Sequence, residues 1–184
     1  GSAYPTEYDI IDGVVFATDT AFLSSSVLDV PLYGAGTAAS TTEGFLFGGF
    51  DGAYSSIIRI ITFATDAVTN SGNALITPNS LPHSTQSDTS AYLIGGYDSV
   101  NTTKSSIEKV VLSSVTASTL VATVATASSD GGAVSSRTKG YALGGATETT
   151  FTDDVNSLIF ATDTTAVVAG VLSTPKAYMA LLSF

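Results

Sequence analysis

The chain carries one histidine, His83, in the stretch LPHSTQSD, with Ser84 and Asp88 close by. A serine, a histidine and an aspartate can carry out nucleophilic acyl transfer, but that geometry comes from residues the fold brings together, not from neighbours in sequence. His83 is therefore read as a solvated loop residue rather than a catalytic base. Asp153 and Asp154 are the one adjacent acid pair. Calcium takes about six to eight oxygen ligands, and no D-x-D-x-D-G run supplies them, so the pair is read as a solvated turn. No cysteine is present, which removes thiolate chemistry, Cys-based metal ligation and disulfides. Asn101 opens the sequon NTT, which matters in a glycosylating host. No cluster of titratable residues forms an acid, base and nucleophile set, and the expectation is a protein that is not an enzyme, with no cofactor and no metal.

A second chemistry is more promising. Phe50, Tyr54, Tyr97 and Phe151 lie in segments of differing length and content that follow a recurring glycine strand, and Tyr4 and Tyr8 hold the matching place near the N-terminus. Asp9, Asp51, Asp98 and Asp153 accompany them. Aromatic rings stack on apolar faces and carboxylates accept hydrogen bonds from hydroxyls, the combination that a neutral glycan requires. The candidate ligand-binding residues are Tyr8, Phe50, Asp51, Tyr54, Tyr97, Asp98, Phe151 and Asp153. The competing reading folds some of these rings inward as caps on the core.

The balance of the sequence bounds the partners. Six basic against sixteen acidic residues give a formal charge of −10, which repels phosphate backbones and anionic headgroups, so neither nucleic acid nor a lipid surface is expected. No apolar run approaches the ~20 residues of a membrane-crossing helix, and no membrane insertion is expected. The opening Gly1-Ser2 reads as an expression scar. With 184 residues, 44% apolar and 12% charged, the chain suits one domain with a real core under a surface of hydroxyls.

The scaffold carrying these loops is repetitive. IDGVVFATDT, IRIITFATDA, IEKVVLSSVT and VNSLIFATDT share apolar anchors at Ile11/Val14/Phe16, Ile58/Ile61/Phe63, Ile107/Val110/Leu112 and Val155/Leu158/Phe160. The final anchors are 47, 49 and 48 residues apart. A second phrase, GFLFGGFDG, AYLIGGYDS and GYALGGATE, begins 28 residues after the anchor each time, at Gly44, Ala91 and Gly140. Short β-branched and aromatic runs bounded by glycine, with no sustained 3.6-residue stripe, predict strands. Asp19, Asp66 and Asp163 follow directly and suit hairpin turns. Each unit is read as four short strands. The paired glycines do not make a dinucleotide or P-loop fingerprint and are read as backbone geometry, where a residue without Cβ bends a strand near a crowded axis or takes positive φ.

Units of this length with a di-glycine closing an apolar strand resemble kelch repeats, and GYALGG…V..LIFATDT is similar to the kelch-like repeats of bacteriophage tail or virion proteins and bacterial surface proteins. The resemblance covers essentially the whole chain, although the tryptophan usual in kelch units is missing. It implies an all-β, four-bladed β-propeller in one domain over 1–184, with blade 1 at 1–32 plus 177–184 and blades 2 to 4 at 33–79, 80–128 and 129–176. It also implies a virion or extracellular surface setting. The copper site of kelch-type oxidases needs several His and Tyr with a Cys, which this chain cannot assemble.

Four anchor strands but three glycine strands leave blade 1 incomplete. Either AYMALLSF at 177–184 returns to complete it, or STPKAYMA aligns with ITPNSLPH, Pro175 and Pro78 each lying 15 residues past their anchors, and one strand is missing. Closure predicts a monomer; a missing strand predicts self-association through blade 1. The expected function is a non-catalytic recognition or adhesion module that binds glycan or a host-surface receptor through loops at one end. The alternative is a structural, self-assembling repeat of a virion or surface appendage.

Overall fold

The computed structural model describes residues 8–15 and 17–179. Every regular element among them is a strand. A hairpin of β1 (Tyr8–Val15) and β2 (Thr20–Leu32) is followed by three four-stranded antiparallel sheets, each a simple meander. The first sheet holds β3 (Gly36–Ala39), β4 (Glu43–Phe47), β5 (Ile57–Thr62) and β6 (Ala67–Ala74). The next holds β7 (His83–Gln86), β8 (Ser90–Ile94), β9 (Ser106–Val111) and β10 (Thr116–Thr123). The last holds β11 (Gly132–Ser135), β12 (Lys139–Ala146), β13 (Phe151–Ile159) and β14 (Thr164–Val167).

The sheets stand side by side around one axis. β3, β7 and β11 touch in succession and line the axis, while β2, β6, β10 and β14 touch in succession on the outside. The anchors explain the packing. Phe45, Phe47, Ile58 and Leu75 of one sheet bury against Ala91, Leu93, Val110 and Leu112 of the next. One period later Tyr92, Ile94, Ile107 and Val124 meet Ala142, Leu158 and Phe160. Each unit hides one apolar face only by stacking on its neighbour, the logic of repeat architectures.

The glycine pairs serve that stacking. A Cβ on Gly48, Gly95 or Gly144 would lie 2.2, 2.2 or 2.5 Å from the carbonyl oxygen of Asn79, Ser128 or Lys176 respectively. The second glycine of each pair donates its N–H to that same oxygen, at 2.7 Å for Gly49, 2.9 Å for Gly96 and 2.8 Å for Gly145. All six have positive φ, so the phrase is a socket that receives the connector leaving the sheet.

That socket also bears on the C-terminal segment. Lys176 occupies it as Asn79 does, which matches the alignment of Pro175 with Pro78. Ala177–Met179 carry no strand, and the remainder of the expected closing strand over 177–184 lies outside the described residues. Two further readings are corrected. His83 is in β7 and 2% exposed, not a solvated loop residue. Asp153 and Asp154 lie in β13, not in a turn. Asp154 accepts a short hydrogen bond from Thr126 of the preceding sheet's connector.

Candidate functional site

The connectors that leave each sheet cross one rim of the molecule, and their backbone writes the site. Gly34, Leu81, Asp130 and Tyr178 recur at the repeat spacing, and all four have positive φ. Leu81 N–H donates to Gly34 C=O at 2.6 Å, Asp130 N–H to Leu81 C=O at 3.0 Å, and Tyr178 N–H to Asp130 C=O at 2.6 Å. This staircase of amides fixes where each neighbouring side chain emerges. The residue before each step pairs with the loop beyond a glycine pair: Tyr33 exchanges both backbone bonds with Phe50, Ser80 with Tyr97, and Ser129 with Ala146.

The result is a hollow of about 270 Å3 whose lining includes Tyr33, Phe50, Tyr54, Tyr97, Asn101 and Asp130. The Tyr33 and Phe50 rings are tilted with centroids 5.3 Å apart, and Tyr54 stands edge-on to Phe50 at 5.2 Å. The Tyr54 hydroxyl donates to Asn101 Oδ1 at 2.5 Å, which ties the loop of one sheet to that of the next. Asn101 is left-handed at φ 61, a conformation asparagine tolerates. Asp130 presents a carboxyl raised above its ordinary range by burial, with a Ser129 hydroxyl donating to it at 3.2 Å. Tyr178 also lines the hollow and is 76% exposed.

Of the candidate residues, the structure brings Phe50, Tyr54 and Tyr97 together here. Asp51 and Asp98 shape the loops: Asp51 Oδ1 accepts the Ala53 N–H at 3.4 Å, and Asp98 Oδ1 accepts those of Val100 and Thr102, both at 3.0 Å. Phe151 and Asp153 lie on β13 and do not line the hollow. The backbone of Tyr8 opens β1, while its side chain, like the whole of Tyr4, lies outside the described residues. Sequence reading missed Tyr33, Asn101, Asp130 and Tyr178. The signal for three of them was the repeat itself, since 33, 130 and 178 sit on or beside the staircase positions.

A second hollow runs along the axis, about 350 Å3 in volume, between Thr37–Ala39, Ser84–Gln86 and Ala133–Ser135. Its polar groups are largely engaged in holding the inner strands together. Ser84 accepts the Thr37 N–H at 3.2 Å, Gln86 brackets Ala39 with bonds of 2.8 and 2.9 Å, and Thr85 donates to Val134 C=O at 3.2 Å. Among the described residues no cluster of three or more His, Cys, Asp or Glu is placed to hold a metal, and no helix is long and apolar enough to cross a membrane.

No family model and no curated protein sequence matches the chain. Solved structures do. One, titled "Structure of YjhT", superposes with a TM-score of 0.73 at 13% identity, covering 93% of this chain and 68% of that one. At that identity the likeness concerns the fold alone. The three four-stranded sheets and the two-stranded sheet share the kelch-type propeller architecture of that protein.

Proposed function

We propose that the protein is a non-catalytic recognition module that binds a neutral glycan, on a surface receptor or free, in the tyrosine-lined hollow. The observation that carries this reading is the convergence of Tyr33, Phe50, Tyr54 and Tyr97 from three segments of the chain beside one amide and one carboxyl. Ring faces offer stacking to the apolar C–H face of a sugar, and Asn101 and Asp130 offer hydrogen bonds to its hydroxyls. A glycosidase needs two carboxylates flanking the scissile bond; this lining holds one, Asp130, which supports binding without hydrolysis. The charge of −10 favours neutral over acidic sugars. At about 270 Å3 the hollow suits the terminal residue of a chain, since small-molecule sites start near ~300 Å3.

A neutral-glycan array probed with the parent protein and with Tyr97→Ala tests this. The parent is expected to give hits, and the variant to lose roughly fivefold to tenfold in affinity, the worth of ~1–1.5 kcal/mol of aromatic contact, with an unchanged circular dichroism spectrum. No hit for the parent, or hits unaffected by the substitution, overturns the reading.

A further inference from the structure

Among the described residues that line the rim hollow there is one acidic side chain, Asp130, and no lysine, arginine or histidine. Five aromatic rings share the lining with it, those of Tyr33, Phe50, Tyr54, Tyr97 and Tyr178. Bases elsewhere are engaged: Arg59 pairs with Asp29, Lys109 with Asp163 at 2.8 Å, and Lys104 donates to the Thr77 hydroxyl at 3.1 Å. The Asp130 carboxyl accepts the Ser129 hydroxyl at 3.2 Å, and burial raises its pKa against the pull of that bond. Burial takes hydration away from the ionised carboxyl, and a cation beside it offsets that cost.

The rings do not form a flat platform. The plane of Phe50 is inclined by 42° to that of Tyr33 and by 80° to that of Tyr54. Tyr97 comes from the loop of the next sheet, held there by its backbone pairing with Ser80. A sugar lays one face on one ring, so it uses neither the mutual inclination of these walls nor the charge of Asp130. A quaternary methylammonium group uses both. It is round, its surface is apolar methyl, and it has no N–H bonds to leave unsatisfied, while the electron-rich face of a ring attracts its charge. The Tyr54 hydroxyl donates to Asn101 Oδ1, which leaves Asn101 Nδ2 as the donor of that amide.

We infer that the hollow binds a small quaternary methylammonium cation of the choline type, with its methyl groups against the rings of Phe50, Tyr54 and Tyr97, its charge paired with Asp130 and its hydroxyl held by Asn101 Nδ2. This goes beyond the glycan reading: it shares the hollow with that reading and does not depend on it. Charge commits the ligand to this class. The whole chain carries −10, so its field draws cations in and repels anions. A phosphate ester of choline, or a betaine with its own carboxylate, would set an anionic group against Asp130, whereas the free alcohol would not. A primary ammonium has three N–H donors to satisfy, and one carboxyl among five rings serves them poorly. Size agrees, since about 270 Å3 lies near the ~300 Å3 at which small-molecule sites begin.

Calorimetric titration of the chain with choline chloride, at ionic strength matched with sodium chloride, tests the inference. Saturable one-site binding is expected, with Kd between about 0.1 and 10 mM. The neutral isostere 3,3-dimethylbutan-1-ol has the same shape without the charge and is expected to bind the parent at least roughly tenfold more weakly. Asp130→Asn keeps the side-chain shape and suits the left-handed backbone at φ 55; it is expected to lose roughly tenfold in choline affinity and to leave the isostere unaffected. Tyr97→Leu keeps an apolar side chain without a ring face and is expected to lose roughly threefold to tenfold for choline alone. No saturable binding of choline by the parent overturns the inference, as does an isostere that binds equally well or a choline affinity indifferent to Asp130→Asn. Choline binding without hits on the glycan array upholds the inference and removes the glycan reading; hits on the array without choline binding do the reverse.

Discussion

His83 is held between β7 and the start of β11, its Nδ1 3.3 Å from Gly132 C=O and its Nε2 3.2 Å from the Ser128 hydroxyl. Burial pushes its pKa below the ordinary 6.5, against the opposing pull of those two partners. The folded state therefore favours the neutral ring. Its contribution is complete above the unfolded value of 6.5 and is lost as the pH falls through that value towards the lower folded one. The urea midpoint is expected to drop between about pH 7.5 and pH 5.5, and to drop less in His83→Asn, which is also weaker at neutral pH by roughly 1–3 kcal/mol. Equal pH dependence in both proteins would count against this. Asp29 acts lower on the scale, because its hydrogen bond to Arg59 depresses its pKa below 3.8, and its contribution fades only as the pH falls below that value. Asp130, raised by burial, contributes in the opposite sense, losing stability as the pH rises through its elevated value. None of this was legible in LPHSTQSD. The polar neighbours of His83 read as a loop, and its burial arises because Gly131 and Gly145 leave room for the imidazole; a Cβ on Gly131 would sit 2.0 Å from the ring.

At the scale of the strand and sheet, Arg59, Glu108 and Asn156 each reach across to the preceding unit: Arg59 to Asp29, Glu108 to the N–H groups of Ile76 and Thr77 and the Thr77 hydroxyl, and Asn156 to the Ala125 N–H. Glu108→Ala deletes an acceptor of three hydrogen bonds and is expected to cost roughly 1.5–3 kcal/mol in urea unfolding, with Glu108→Gln costing less because one acceptor oxygen remains. A change within about ±0.5 kcal/mol, the norm for an unengaged surface residue, would contradict the role. Strands were readable because β-branched runs ended on glycine pairs, and the third-to-fourth strand hairpins because Asp19, Asp66 and Asp163 each take φ near 50°, at 51°, 53° and 51°. The exception shows the competing force. Val115 holds the same left-handed position at φ 51 with no side chain to cap it, and its packing against the first core cluster offsets the strain. These contacts were not readable, since Arg59, Glu108 and Asn156 share a position in the repeat but no chemistry.

For the whole molecule, the repeat gave the architecture and withheld the ends. Spacing of the anchors placed four units around an axis because each unit's apolar face is complete only against the next. Which loop residues meet at the rim depended on the amide staircase through Gly34, Leu81, Asp130 and Tyr178, a three-dimensional feature with no conserved residue type. That is why Phe50, Tyr54 and Tyr97 were anticipated, and Asn101 and Asp130 were not. A cysteine-free chain permits a direct measurement of that rim: a chain carrying Tyr54→Cys and Asn101→Cys, whose native side chains meet between neighbouring sheets, is treated with a short bis-maleimide cross-linker. A bridge within one chain is expected, read by mass spectrometry as a monomer carrying a single linker joined at both ends. Two separately modified cysteines with no internal bridge would contradict the convergence of these loops in one hollow.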